Sequence, residues 1–212
     1  MPNWCSTKYV AFTDCEDKSE LKRLHDNLTS AMQTPSVVEN GFGEGWLGDI
    51  ALKHGLNWED IPCRGTIEHL DEYDEDSVSF SFATETAWEQ CDELWDAVIS
   101  QYEGVSHVYI SEELGNAHFV NSDIEGRFLP EKFLLDMWGN GSIPDGWYAE
   151  RTTKPVCLDE REYFVDFEAL ANHCAKITGR AFASLEELRN YFDNIFDEDA
   201  NIFANIHEFE AA

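Results

Sequence analysis

Positive charge is what this chain has least of. Lys and Arg together number 14 against 43 Asp and Glu, a formal charge of −29 over 212 residues. Such a surface repels nucleic-acid phosphates and anionic membranes, and it attracts basic partners or cations. No direct contact with nucleic acid or membrane is expected. Long apolar runs are missing too. No stretch of 18 apolar residues occurs, so no transmembrane helix is expected. The start, MPNWCSTKYV, has no basic region followed by an apolar one. It gives no secretory leader, so a cytoplasmic protein is expected.

Local metal and nucleotide motifs are equally scarce. The six cysteines, Cys5, Cys15, Cys63, Cys91, Cys157 and Cys174, form no CxxC pair, and the histidines form no HxxxH or HExxH. We expect reduced, mostly buried thiols, no disulfide, no metal and no cofactor. Gly41-Phe42-Gly43-Glu44-Gly45 lacks the GK[ST] ending of a phosphate cradle and carries an acid, so it reads as a turn. No GxSxG marks a nucleophile elbow.

Apolar residues are not lacking. At 43% hydrophobic and 13% aromatic, the chain can bury a sizeable core. Its strongest folding signal is VSFSFATETAWEQCDELWDAVISQY, Val78 to Tyr102. Val78, Phe80 and Phe82 alternate with Ser79, Ser81 and Ala83, which predicts a strand. Trp88, Cys91, Trp95, Val98 and Tyr102 then recur at helical spacing, which predicts a helix of about four turns. Thr84 or Thr86 can cap its start, and Glu89 lies three residues after Thr86, as in a capping box. Trp88 and Trp95 are both expected in the core.

Around this unit the chain reads as a strand at Thr7 to Phe12, apolar on both faces and hence central. A helix follows on Leu21, Leu24, Leu28 and Met32, ending before Pro35. Residues 40–65 form a glycine-rich insertion, with a short helix from Trp46 to His54 stopped by Gly55. Further strands are predicted at Thr66 to Glu72, Val105 to Ser111 and Ala117 to Val120, the last two joined by Gly115-Asn116. The order β-α-β-β-α-β is that of an α+β, ferredoxin-like split βαβ core. It is expected over residues 1–135, with both helices on one face of an antiparallel sheet. Residues 136–212 are expected to be a mostly helical extension. Beyond Pro130 the chain reads as an apolar patch at Leu134 to Trp138, then a short strand at Tyr163 to Phe167 and a helix from Phe167 to Ile177 closed by Gly179. A last helix is capped by Ser184 and Glu187.

Three short segments together resemble one family. Pro2-Asn3-Trp4-Cys5, Glu39-Asn40-Gly41-Phe42-Gly43 and Thr84-Glu85-Thr86-Ala87-Trp88 look like the YubB-like or Api-type phage proteins, over roughly residues 1–135. The resemblance implies a ferredoxin-like domain in proteins carried by phages, plasmids and gut-type bacterial genomes. It implies no activity. Cys63-Arg64-Gly65-Thr66 departs from the tryptophan-bearing element such proteins often carry there. Glu89 and Gln90 stand where many have prolines.

Two functional readings follow. The first is a non-enzymatic protein-interaction module. Its acids, at Asp71, Glu72, Asp74, Glu75, Asp76, Glu112, Glu113, Asp193, Asp197, Glu198 and Asp199, would imitate a nucleic acid and engage a basic host nucleic-acid-binding protein. The plain alternative is that this charge serves solubility. The second reading is an enzyme or small-ligand binder between the glycine-rich insertion and the strand-to-helix junction, around Trp46, Arg64, Glu85 and Trp88. At that junction Glu85 is either an acid–base group raised in pKa by burial or an acid favouring the helix dipole. Two further groupings offer metal ligands: Cys5, Cys63 and His69 as convergent ligands, and DEYDED as a calcium loop. The second lacks the glycine and terminal glutamate of an EF-hand.

Overall fold

Apolar residues on both faces, Tyr9 and Ala11 on one and Val10 and Phe12 on the other, suit β1, Trp4–Thr13, to its place inside the first sheet. The computed structural model describes residues 3–36, 38–39, 42–139, 143–148, 158–198 and 202–212. The chain divides into two units, Met1–Asp123 (with Ala212) and Ile124–Ala211.

In the first unit β1 is followed by α1 (Ser19–Gln33), α2 (Leu47–Lys53), β2 (Gly65–Leu70), β3 (Ser79–Ala87), α3 (Asp92–Ile99), β4 (Val105–Glu113) and β5 (His118–Asn121). These strands lie side by side in the order β2-β3-β1-β4-β5, with every neighbouring pair antiparallel. Tyr9 and Ala11 of β1 and Phe80 and Phe82 of β3 share one core with Leu21, Leu24 and Leu28 of α1. Leu47 and Ile50 of α2 and Leu94, Trp95 and Val98 of α3 complete it. The helices therefore cover one face of the sheet, as the apolar stripes predict. Asn27, midway along α1, and His54, at the end of α2, both bond the Tyr102 hydroxyl, each at 2.7 Å.

The glycine-rich insertion has a structural task. Gly45, at φ +77°, accepts a hydrogen bond from Ile67 N–H at 2.9 Å, and Trp46 bridges Thr66. The insertion thus pairs with the outer edge of β2, which would otherwise be left with open backbone groups. Gly55, at φ +74°, ends the short helix as expected.

The junction after β3 differs from expectation. The strand does not stop at Phe82; Thr84 and Thr86 continue its inward face and Glu85 and Ala87 its outward face. β-Branched threonines favour the pleated strand, and they won over the helical phase of the residues beyond. α3 begins only at Asp92 and runs eight residues. Thr86 makes no capping box: its hydroxyl donates to the Glu89 carbonyl at 2.7 Å and staples the intervening turn. Trp88 is therefore outside the helix and outside the core, half exposed, whereas Trp95 is fully buried.

The second unit contains β6 (Phe133–Gly139), β7 (Leu158–Phe164), α4 (Phe167–Thr178), α5 (Leu185–Glu198), β8 (Ile202–Glu208) and β9 (Glu210–Ala211). An antiparallel sheet runs β7-β6-β8. The mostly helical extension is thus corrected to a mixed unit; the apolar patch at Leu134 to Trp138 is its central strand. Leu135 and Met137 pack with Leu170, Cys174 and Ile177 of α4 and with Leu188 and Phe192 of α5. Both predicted helix signals hold. Gly179 closes α4 at φ +72°, and Ser184 accepts from Glu187 N–H at 3.1 Å at the start of α5.

Candidate functional site

Of the four residues expected to frame a pocket, the first lies in the core. Trp46 is 3% exposed, near Phe42 and Trp58 at ring separations of 6.3 and 5.4 Å, and Gly48 leaves room for its indole. The other three come together at one end of the sheet. The Arg64 carbonyl accepts from Ala87 N–H at 2.9 Å, Glu85 lies one pair further along β3, and Trp88 follows directly. Arg64 and Glu85 are exposed. Glu85 sits exposed on the outward face of β3 between Ser6 and Thr66, and α3 begins only at Asp92, so it is not an acid of the helix's first turn. The described depressions lie elsewhere. One of about 410 Å³ is lined by α1 and α2, and another of about 340 Å³ lies against α5.

The acidic candidates divide. Asp71, Glu72, Asp74, Glu75 and Asp76 are all exposed on the β2–β3 hairpin. Among the described residues, the one basic side chain within reach of their carboxylates is His69, whose Nε2 lies 3.0 Å from Asp71 Oδ1. Lys18 reaches the hairpin's backbone instead, donating to the carbonyls of Glu75 and Asp76 at 3.3 and 2.7 Å. Glu112 is half-buried on β4. Glu113 is not a surface acid: it is 2% exposed, and its carboxylate accepts from the N–H groups of Gly115 and Asn116 at 2.6 and 2.7 Å. It organises the β4–β5 turn. Asp193 is exposed on α5, which also carries Asp197 and Glu198 in its last turn, and Asp199 lies outside the described residues.

The expected ligand trio does not share one environment: Cys5 and Cys63 are buried, His69 exposed. A different group converges. Glu160, Glu162 and His173 place ligand atoms within 4.8 Å of one another, with His173 Nδ1 3.3 Å from Glu162 and the Tyr148 hydroxyl donating to Glu160 at 3.0 Å. Sequence spacing could have suggested only the two glutamates, two apart on one strand face.

Sequence reading also missed a polar chain at the start of α3, buried at its Cys5 end and half-buried at Gln90 and Asp92. Cys5 Sγ lies 3.1 Å from Ser111 Oγ, which donates to Gln90 Oε1 at 3.1 Å. Gln90 and the Tyr109 hydroxyl both donate to Asp92 Oδ2, at 3.0 and 2.9 Å. Burial pushes the Cys5 and Cys63 thiols up, and pushes Cys91 and Cys174 up to about 12. A thiol held protonated is a poor nucleophile, so the chain from Cys5 is built for packing. A thiol titration in a Cys157→Ser background checks this. Near pH 8 we expect the exposed Cys15 alone to react promptly with a disulfide reagent, the buried four only on unfolding. Prompt reaction of Cys5 would contradict the buried assignment.

No protein-family profile, curated protein or solved structure matches the chain. No described helix is long and apolar enough to cross a membrane.

Proposed function

We propose that the protein is a non-enzymatic interaction module that engages a basic, nucleic-acid-binding protein through the β2–β3 hairpin. We read its first unit as a ferredoxin-like split βαβ domain of the YubB-like or Api type. The strand order β2-β3-β1-β4, with α1 and α3 on one face, supports that reading. So do the three short segments, and with them an origin on a phage, plasmid or other mobile element.

The observation that carries the function is the hairpin itself. Five exposed carboxylates fall within the six residues from Asp71 to Asp76. Six residues of extended chain span at most about 20 Å. That gives one charge per ~4 Å, within a small factor of duplex DNA at one per ~1.7 Å of axis. A groove shaped for phosphates meets a comparable field here, and association is fast and salt-sensitive.

Affinity for a Lys/Arg-rich bacterial DNA-binding domain, followed by anisotropy from about 50 to 200 mM salt, tests it. The intact protein is expected to weaken steeply with salt. Neutralising Asp71, Glu72, Asp74, Glu75 and Asp76 to their amides should flatten that slope. Neutralising five exposed acids elsewhere in the unit, Glu16, Glu44, Glu59, Glu93 and Glu103, should leave most of it. Equal flattening by both sets would reduce the hairpin to a share of the net charge.

A further inference from the structure

At the end of the sheet away from the hairpin, two tryptophans stand open to solvent. Trp4 is 47% exposed and Trp88 is 50% exposed. Trp4 begins β1 on the outward face, paired with Ala87; the next outward pair is Ser6 with Glu85. Ala87 and Ser6 are too small to cover an indole. Trp88 is tied to the same corner, its N–H donating to the Asn3 carbonyl at 2.9 Å.

The backbone at Trp88 is unusual. Its φ of +79° is a conformation that glycine adopts freely and a bulky residue only under strain. Three features hold it there: the Asn3 bond, the Thr86 hydroxyl on the Glu89 carbonyl, and Gly115, whose missing Cβ makes room for the Asn3 side chain. Strain maintained around an exposed aromatic ring points to a use for that ring. The charges set near it by the strand register are Glu85 and Glu89, both exposed, Glu112, half-buried opposite Ser6, and Arg64, exposed beside Ala87.

We propose that the Trp4–Trp88 corner binds one cationic side chain, an arginine or lysine presented by a segment of a partner protein. Indole faces attract cations through their quadrupole, tryptophan most strongly. Glu85 and Glu89 supply the opposite charge and Arg64 repels a second cation, so the corner takes a single basic residue and not a basic run. Exposed tryptophan is also the side chain richest in binding energy at protein interfaces. This inference stands apart from the hairpin reading, because the nine residues of β3 separate the two places by about 30 Å. Either can fail alone.

The test is an NMR titration of the intact protein, following the tryptophan indole N–H signals assigned by single Trp→Phe variants. The probe is the peptide acetyl-Leu-Arg-Leu-amide, against the same peptide with neutral citrulline for arginine. We expect the Trp4 and Trp88 signals to move saturably with the arginine peptide. The citrulline peptide should bind about 2–5-fold or more weaker, the range of an exposed cation–π contact. Glu85→Gln with Glu89→Gln should weaken the arginine peptide by a similar factor. Trp88→Gly should abolish the Trp4 shift while leaving the melting temperature unchanged or higher, since glycine fits the positive φ. Equal binding of the citrulline peptide, shifts confined to other tryptophans, or a response to oligothymidylate in place of the peptide would each overturn the proposal.

Discussion

Trp95→Ala is expected to cost about 3–5 kcal/mol of folding stability in urea unfolding. The indole is fully buried, with ring centroids 5.4 Å from Tyr9 and 4.6 Å from Phe82, so truncation opens a cavity where α3 meets the sheet. Trp95→Phe should cost distinctly less. It keeps most of the ring contact and removes an indole N–H that is buried without a hydrogen-bond partner. Trp88→Ala, equally drastic in composition, should stay within about 1 kcal/mol, the range of a surface change. A loss under about 1 kcal/mol at Trp95 would place α3 outside the core.

The second large effect is expected at a residue with no side chain. Gly65 pairs with Thr86 across β2 and β3. A Cβ at this position would overlap the Glu85 carbonyl oxygen and lie 2.7 Å from Thr86 Cγ2. Since β3 is locked on its other side by β1, β2 must yield. Gly65→Ala should therefore cost about 1–3 kcal/mol, as overpacking does. It should also loosen the bond from Ile67 N–H to Gly45 and the Trp46–Thr66 bridge. Faster amide hydrogen exchange at Ile67, with Tyr9 unchanged, is the signature. Unaltered exchange at Ile67 would show that the strand approach is looser than described.

Local periodicity made α1, α2 and the helices of the second unit legible, because Leu21, Leu24 and Leu28, or Ser184 and Glu187, act within a turn or two of one another. The β3–α3 junction was not legible in that way. Thr84 and Thr86 extend the strand's period of two, while Trp88 and Cys91 by chance share the spacing of the helix that follows. Only the competition for backbone hydrogen bonds with β1 and β2 decides between them. The three-stranded sheet was hidden for another reason. β6 pairs with β8 across about 70 residues of sequence, and β7 reads LDEREYF, its inward Leu158 and Phe164 masked by charge. Glu113 misled because an acid in a charged chain reads as surface, whereas this one is drawn inside by two backbone N–H groups. Of the candidate site, the joining of Arg64, Glu85 and Trp88 was visible as strand-end neighbours. Trp46 was misplaced because a tryptophan among glycines looks like a loop residue until its ring contacts are known.

The most direct test of a charge-steered module that occupies a phosphate-binding groove is displacement. A fluorescent DNA duplex is first bound to the Lys/Arg-rich DNA-binding domain at about 50 mM salt, where phosphate contacts are strong. Adding the intact protein should release the duplex in step with formation of the protein–protein complex. The variant neutralised at Asp71, Glu72, Asp74, Glu75 and Asp76 should leave it bound. A ternary complex, with the protein and the duplex held together, would contradict occupation of the groove, as would equal release by the neutralised variant.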